Sequence, residues 1–104
     1  MDAQSSNPKY AVYHANDLLV MVLPQPKWWH EDRERNYMHI ADVSAPLERV
    51  FALTNHVDHS WTSNPEVVWY ATRLPLRSTS VGDVIVSYTT GQAWLVMPIG
   101  LQEM

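Results

Sequence analysis

Hydrophobic and polar positions alternate in short blocks along the chain, which is the pattern of a protein built mainly from short strands. The first block, Tyr10 to Leu23, is rich in Val, Leu, Met and Tyr and has a polar break at His14 to Asp17. Because Asn and Asp tolerate turn conformations, we predict two short strands, or one strand and a turn, in this block. Pro24 and Pro26 end it, since proline cannot donate to a strand ladder.

A charged segment, WWHEDRERN from Trp28 to Asn36, comes next, and we expect it to form an exposed loop. The segment after it, Tyr37 to Val43, has the alternation of a strand. Strict alternation divides the side chains of this strand between two faces of the sheet. The first face would carry Met38, Ile40 and Asp42, and the second would carry Tyr37, His39, Ala41 and Val43.

Pro46 to His56 is the segment with helical periodicity. Leu47, Val50 and Phe51 recur at the spacing of one helix face, and proline is favoured near a helix start because its missing N–H is not needed there. We therefore predict a helix over this segment. Asn55 to Pro65 is rich in turn-forming residues, so we expect an irregular loop after the helix.

Three more strands are predicted in the second half of the chain. Val67 to Thr72 is β-branched and aromatic, as strands are. Val81 to Tyr88 and Ala93 to Ile99 flank a turn at Thr89 to Gln92, so they should pair as an antiparallel hairpin. The order of elements predicts an α+β domain, with a mostly antiparallel sheet and one helix packed on one face.

Length and composition fit this architecture. The chain has 104 residues, so we expect a flexible N-terminal tail at 1–8 and a single domain at 9–104. Cysteine is absent, which excludes disulfide scaffolds, thiolate zinc sites and cysteine nucleophiles. No apolar run approaches the roughly 18 residues of a membrane helix, and the N-terminus lacks the blocks of a signal peptide. We therefore expect a soluble intracellular protein without membrane contact.

Charge and motifs narrow the function further. The net charge of −4 argues against a protein that binds nucleic acid broadly through its phosphates. His56 and His59 have a spacing that can hold a metal if both imidazoles turn to the same side, with a third ligand from His30, His39 or Asp83, as a metal-dependent hydrolase would require. A loop histidine beside an aspartate is more often a surface group. No phosphate-binding loop, dinucleotide glycine fingerprint or nucleophile elbow is present. We predict a protein that is not an enzyme and has no cofactor and no metal.

A dense polar cluster, RSTS, stands directly before the predicted strand at Val81. A guanidinium beside three hydroxyls can hold a phosphate or a carboxylate, and the same residues also suit a rigid strand entry in which hydroxyls cap the backbone. The ligand-binding interpretation predicts a module that sequesters a nucleotide or signal metabolite. Its candidate residues are Asn55, His56, Arg77, Ser78, Thr79 and Ser80.

The chain has five Trp and five Tyr but only three Gly, so large rigid contact groups are in surplus. Trp69 and Trp94 lie in predicted strands and are expected in the core. The other three tryptophans lie in predicted loops, where an exposed indole is an efficient contact residue, and neighbouring acids suit a basic surface on a partner. The predicted partner-binding residues are Trp28, Trp29, Glu31, Asp32, Glu34 and Trp61.

Two stretches of the C-terminal half resemble a known group of proteins. LTNHVD at Leu53 to Asp58, followed by Trp61 and Asn64, and RSTSVGDVIV at Arg77 to Val86 resemble small proteins encoded by bacteriophages, plasmids and other mobile elements. The last part, ending in Gly100, Leu101 and Glu103, is similar to the YodL-like domain of antirestriction-associated proteins. The resemblance runs from Val50 onward, and Leu101 stands where that domain has an aromatic residue.

The resemblance implies an accessory protein of a mobile element, acting in the cytoplasm of the infected or host bacterium. Small acidic products of such elements bind and inhibit host defence complexes, so it implies an anti-CRISPR or other anti-defence protein. The expected partner is a bacterial defence protein or nucleoprotein complex, bound without catalysis. The oligomeric state stays open, a dimer included.

Overall fold

The structure, a computed structural model, describes residues 8–55, 64–70 and 77–104. These residues form six strands and three helices. The strands are β1 (Lys9–Ala15), β2 (Tyr37–Ser44), β3 (Val67–Trp69), β4 (Val84–Ser87), β5 (Ala93–Val96) and β6 (Leu101–Glu103). The helices are α1 (Leu18–Val22), α2 (Pro26–Asn36) and α3 (Leu47–Leu53). Within the described ranges no helix is long and apolar enough to cross a membrane.

The six strands form one sheet in the order β3-β2-β1-β4-β5-β6, and every neighbouring pair is antiparallel. The predicted α+β class with an antiparallel sheet is therefore confirmed. The prediction included one helix on one face, whereas the described part of the chain has three helices distributed over both faces. The predicted tail at 1–8 lies outside the described residues except for Pro8.

Each face of the sheet carries its own core. On the α3 face, Val12, Val43 and Ile85 pack with Val50 and Leu53 of α3. On the opposite face, which we call the α1–α2 face, strand residues pack with Val20 of α1 and Trp29 of α2, and these strand residues are Ala15, Tyr37, Val84, Ala93 and Leu95. Burial on both faces explains why the strands read as apolar blocks with few polar interruptions.

The N-terminal block contains β1 and then α1, so the prediction of a second strand there is wrong. Asp17 caps α1: its Oδ1 accepts a hydrogen bond from the backbone N–H of Val20 at 3.1 Å. Aspartate at this position satisfies a backbone donor that has no partner inside the helix. The polar break that suggested a turn is therefore a helix start.

The charged segment that was expected to form an exposed loop is helix α2, so that prediction is also wrong. Pro26 occupies the first turn, and Arg33 and Arg35 lie in the last turn, where cations interact favourably with the helix dipole. A kink at Asp32, with φ −156° and ψ 61°, interrupts the helical geometry. The segment has little amphipathic pattern, and Trp29 alone among its residues is buried.

The predicted alternation of β2 fails at one residue. β1 and β2 shift register between Val12 and Tyr13, which pair with Ala41 and His39, so Ile40 is left as an extra residue between the two pairs. A bulge of this kind moves every later side chain to the other face of the strand. His39 and Asp42, which strict alternation places on opposite faces, therefore share the α1–α2 face.

The remaining elements follow the predictions with shorter bounds. The helix expected from Pro46 to His56 is α3, and the expected hairpin is β4 with β5. Strand β6 was not predicted; it is held at one end by the hydrogen bond from Met97 N–H to the Gly100 carbonyl oxygen at 3.0 Å. Trp94 is partly buried and packs edge-on against Tyr10, with ring centroids 6.1 Å apart.

Trp69 departs from its prediction as a core residue, because it is 36% exposed on edge strand β3. Within the described ranges, that strand has a neighbour on one side only, β2. Residues 71–72, which the prediction assigned to the same strand, lie outside the described residues. So does most of the loop predicted from Asn55 to Pro65, of which Asn55, Asn64 and Pro65 are described and lie outside helices and strands.

Candidate functional site

The polar cluster before β4 is organised by a buried carboxylate, Asp83. Its side chain is fully buried and accepts hydrogen bonds from the backbone N–H groups of Ala15 and Ser80, each at 2.8 Å. Arg77 binds both carboxylate oxygens, Nη1 to Oδ2 and Nη2 to Oδ1, each at 2.7 Å. This two-pronged geometry is the strong form of an arginine–carboxylate pair, and it fastens the segment before β4 to β1.

The guanidinium of Arg77 makes additional bonds within the protein. Nη2 donates to the Ala15 carbonyl oxygen at 3.3 Å, and Nη1 donates to the Ser78 carbonyl oxygen at 3.1 Å and to Ser80 Oγ at 3.3 Å. A phosphate at this position would have to displace the Asp83 carboxylate. The arrangement therefore matches the strand-entry interpretation of the RSTS cluster, and the nucleotide-binding interpretation stays a prediction.

His14 lies behind this cluster, on the central strand. Its Nε2 is 3.0 Å from Thr79 Oγ1 and 3.8 Å from Asp83 Oδ2. Burial lowers the pKa of His14 to about 4. The negative charge of Asp83 acts to raise this pKa, and the positive charge of Arg77 acts to lower it. Asn55 Nδ2 donates to the Thr79 carbonyl oxygen at 2.6 Å, so five of the predicted ligand residues join one structural network with Asp83, namely Asn55, Arg77, Ser78, Thr79 and Ser80.

The tyrosine beside this network contributes a buried hydroxyl. Tyr37 is 4% exposed, and its Oη has no hydrogen-bond partner among the described residues. Burial, helped by the charge of Asp83, raises the pKa of Tyr37 to about 12, so the phenol stays protonated. The cluster holds a neutral histidine, a neutral phenol and a paired carboxylate, which suits structural anchoring better than proton transfer at neutral pH.

The predicted partner-binding residues that the structure describes form three groups: the buried Trp29, the partly buried Trp28 and the exposed acids of α2. Trp29 is 3% exposed, packs edge-on against Tyr13 and Tyr37 at centroid distances of 4.9 and 5.4 Å, and has the Arg33 guanidinium 4.4 Å from its ring centroid. It is a core residue, contrary to its predicted exposure on a loop. Trp28 is partly buried, and its Nε1 donates to the Leu23 carbonyl oxygen at 2.8 Å.

The acids of the third group, Glu31, Asp32 and Glu34, are exposed on α2 as predicted. Glu31 and Asp32 line a polar cleft of about 400 Å³ that α1 borders with Leu19. The cleft also contains the cations Lys27 and Arg35, so its charges are mixed. Trp61, His56 and His59 lie outside the described residues; in the described part, no group of three His, Asp or Glu is arranged to hold a metal.

Beside this cleft, α1 and the residue after it expose a run of apolar side chains. Leu18 is 72% exposed, Leu19 55%, Val22 62% and Leu23 52%, while Val20 between them is 2% exposed. We call these four side chains the α1 surface. Sequence reasoning missed it because the block was assigned to strands. The signal that could have found it is six apolar residues in a row directly after an aspartate, with none of the alternation of a half-exposed strand.

A separate apolar groove of about 560 Å³ lies on the other face of the sheet. Its apolar lining includes Phe51 of α3, Val96 at the end of β5, Leu101 at the start of β6 and part of the segment between these strands. Ile99, in the turn before β6, is 95% exposed. This second apolar region gives an internal comparison for the α1 surface.

A second buried carboxylate, Asp42, lies on the α1–α2 face of the sheet. Asp42 is 5% exposed and accepts hydrogen bonds from His39 Nε2 at 2.9 Å, from the Tyr88 hydroxyl at 2.6 Å and from the Tyr70 hydroxyl. Tyr88 reaches Asp42 across β1 at Ala11, the residue that pairs with Asp42. The small side chain of Ala11 leaves room for this contact.

Hydrogen bonds fix the charge states around Asp42. Burial acts to raise the pKa of Asp42, but the bonds from Tyr70, Tyr88 and His39 outweigh it and leave that pKa below its ordinary value. The hydrogen bond to Asp42 raises the pKa of Tyr70. For Tyr88, burial is the main cause of a raised pKa, and the hydrogen bond to Asp42 is the second cause. The carboxylate is held ionised and both phenols are held protonated, an arrangement that favours binding over acid–base chemistry.

No protein family, no curated protein and no solved structure matches the chain. Two surfaces of the molecule are therefore the candidate sites: the α1 surface with its polar cleft, and the tyrosines around Asp42.

Proposed function

We propose that the protein is a non-catalytic binding module that docks on another protein through the α1 surface. The observation that carries this proposal is the exposure of Leu18, Leu19, Val22 and Leu23, each more than half exposed within six consecutive residues. Contiguous apolar patches on a protein surface are typical of interaction sites, whereas scattered exposed apolar residues are ordinary.

The α1 surface is held in one conformation before any partner binds. Asp17 caps the helix, and Val20 anchors it in the core of the α1–α2 face. Gly82 packs so closely under α1 that a Cβ added there would lie 2.7 Å from the Met21 Cα atom. A preformed surface loses little conformational entropy on binding, which favours affinity.

The apolar area is large enough to contribute to binding but not to supply all of it. Burying a large aliphatic side chain completely contributes about 1.5–3 kcal/mol. For four side chains that are each a little more than half exposed, this gives on the order of 5 kcal/mol, against an association cost of similar size. The exposed Glu31 and Asp32 beside the patch would add the polar rim, and they favour a partner with basic groups around an apolar groove.

The sequence resemblance extends the proposal to the identity of the partner. An accessory protein of a mobile element would use this surface to bind and block a bacterial defence protein or nucleoprotein complex. The contact set differs from the one predicted from the sequence, since the buried Trp29 gives way to the aliphatic residues of α1.

The test compares binding of the wild type with that of L18S/V22S, which changes the two most exposed residues of α1. Immobilised protein is incubated with bacterial extract, the retained protein is purified, and its affinity is measured by calorimetry. We expect L18S/V22S to lose at least tenfold in affinity while its circular dichroism and melting temperature stay near wild type.

The matched control is I99S, which removes an exposed apolar side chain between Pro98 and Gly100, two residues that line the apolar groove. It should bind as tightly as wild type. Equal retention by wild type and L18S/V22S would contradict the proposal, and loss of binding by I99S alone would move the docking site to the groove.

A parallel flotation assay with phosphatidylcholine and phosphatidylglycerol vesicles should show no binding; α1-dependent flotation would indicate a lipid partner instead.

A further inference from the structure

The tyrosine cluster around Asp42 occupies the part of the α1–α2 face that the two helices do not cover. Tyr70 is 46% exposed and Tyr88 is 54% exposed, while the carboxylate to which both donate is 5% exposed. Aromatic rings therefore flank a buried negative charge on an accessible surface. Tyr13 and His39 extend the aromatic surface, with ring centroids 4.9 Å apart and nearly parallel planes.

The negative charge of Asp42 has no salt bridge to a lysine or arginine among the described residues. Its hydrogen-bond donors are two neutral phenols and one histidine. Asp83, the other buried carboxylate, differs because an arginine pairs with it. A buried ionised carboxylate with mainly neutral partners leaves an electrostatic field that favours a cation nearby.

The same face already holds an ammonium group. Lys9 Nζ lies 5.4 Å from the centroid of the Tyr88 ring, within the range of a cation–π contact. Lys9 is exposed at the start of β1, so its ammonium group is one that solvent or a ligand can replace. The contact shows that the electron-rich face of Tyr88 is accessible to a positive charge.

The hydrogen bonds of Asp42 decide what kind of cation fits. A carboxylate has about four lone-pair positions, and three of them accept from His39, Tyr70 and Tyr88. A guanidinium, a primary ammonium or a metal ion binds most strongly through direct hydrogen bonds or oxygen ligands, and this nearly buried carboxylate has few positions left to supply them. A quaternary ammonium group donates no hydrogen bonds, so aromatic faces and a nearby charge suffice to bind it.

We propose that Tyr70, Asp42 and Tyr88 form a binding site for a small organic cation of the quaternary ammonium class, with the tyrosine rings as its walls and the Asp42 carboxylate as its counter-charge. The site is independent of the α1 surface, because its residues lie on β2, directly after β3 and directly after β4. Lys9 competes with the ligand for Tyr88 and repels it.

The experiment is a titration of the ¹⁵N- and ¹³C-labelled protein with choline, followed by NMR of backbone and tyrosine-ring signals. The control ligand is 3,3-dimethylbutan-1-ol, which has the shape of choline without its charge. We expect choline to shift the Tyr70 and Tyr88 ring signals saturably, and the neutral alcohol to bind at least tenfold more weakly. Equal binding of the two compounds, or no saturable shift, would overturn the proposal.

Variants test the assignment of residues. Y70L and Y88L should each weaken choline binding at least fivefold, and K9Q should strengthen it at least twofold because it removes the competing charge. The matched control M38A changes an exposed residue on the opposite face of β2 and should bind choline as wild type does. Unchanged binding by both tyrosine variants would overturn the assignment, as would loss of binding by M38A.

D42N tests the counter-charge further, and we expect it to weaken choline binding tenfold. The result is used only if circular dichroism shows that D42N has the native fold. If D42N does not fold, the comparison of choline with its neutral isostere tests the charge in the wild type. L18S/V22S should bind choline as wild type does, since the α1 surface is a separate site. Loss of choline binding in L18S/V22S would contradict that independence.

Discussion

Lowering the pH from 7 to 4.5 should destabilise the protein through one buried side chain, His14. His14 is 5% exposed, and burial lowers its pKa from 6.5 to about 4. In the unfolded chain the imidazole takes up a proton as the pH falls through 6.5, while in the folded protein it stays neutral down to about 4. The unfolded state therefore binds more protons over this window, so the free energy of unfolding decreases as the pH falls.

The size of the effect follows from the difference between the two pKa values. One pKa unit corresponds to 1.36 kcal/mol, so His14 should contribute a loss of about 2.5 kcal/mol by pH 4.5 and about 3 kcal/mol once the folded protein also takes up the proton. This is a large fraction of the 5–15 kcal/mol that is typical of domain stability. The loss from Asp42 falls mainly below its ordinary pKa of 3.8, so the two groups act in different windows.

The assay is urea unfolding followed by tryptophan fluorescence at pH 7.5, 5.5 and 4.5, on wild type and H14Q. Glutamine can keep a polar contact with Thr79 but does not titrate, so H14Q should lose about 2.5 kcal/mol less than wild type between pH 7.5 and 4.5. H30Q, which removes an exposed histidine, is the matched control and should follow wild type. If H14Q and wild type lose the same free energy over this range, His14 does not titrate as the structure implies.

Three more substitutions test the packing around the sites. G82A should destabilise the protein by about 1–3 kcal/mol in urea unfolding, because Gly82 has φ +96° and an added Cβ would meet Met21. The same change should weaken binding at the α1 surface, as measured by calorimetry. R77A should lower the free energy of unfolding, measured in urea, by about 2 kcal/mol. This loss is below the 3–5 kcal/mol typical of a fully buried pair, because the Arg77 side chain is 36% exposed. A neutral result would mean that Asp83 finds another partner. W29A should cost about 3–5 kcal/mol as a core truncation, and a near-wild-type melting temperature would return Trp29 to the set of partner contacts.

Local signals in the sequence were sufficient for some elements. Alternation and β-branched residues located β2, and the turn between two apolar runs located the β4–β5 hairpin. The spacing of Leu47, Val50 and Phe51 located α3. These features depend on neighbours within a few residues, which is why periodicity and turn chemistry suffice to predict them.

Helices α1 and α2 were not predicted, because the residue pattern of each segment differs from the burial that the segment has in the fold. The α1 segment is apolar enough for a buried strand, yet only Val20 is buried and most of its remaining side chains face solvent. The α2 segment is charged enough for a loop, yet the buried indole of Trp29 holds it to the sheet, with the partly buried Trp28 packed against the same core. The burial of each helix cannot be predicted from its own residue pattern, because it depends on the sheet against which the helix packs.

By itself, the sequence determined the α+β class, an antiparallel hairpin, one helix and the exclusion of cysteine-based chemistry. The tertiary structure alone decided both candidate sites. At the α1 surface it leaves four apolar side chains of one short segment exposed, and around Asp42 it joins residues that are far apart in the chain. The bulge at Ile40 brings His39 to the same face as Asp42, and the antiparallel register lets Tyr88, 46 residues away, reach that carboxylate across β1. Strand register is set by the packing of whole faces, which is why residue patterns that predicted the strands could not predict what they bring together.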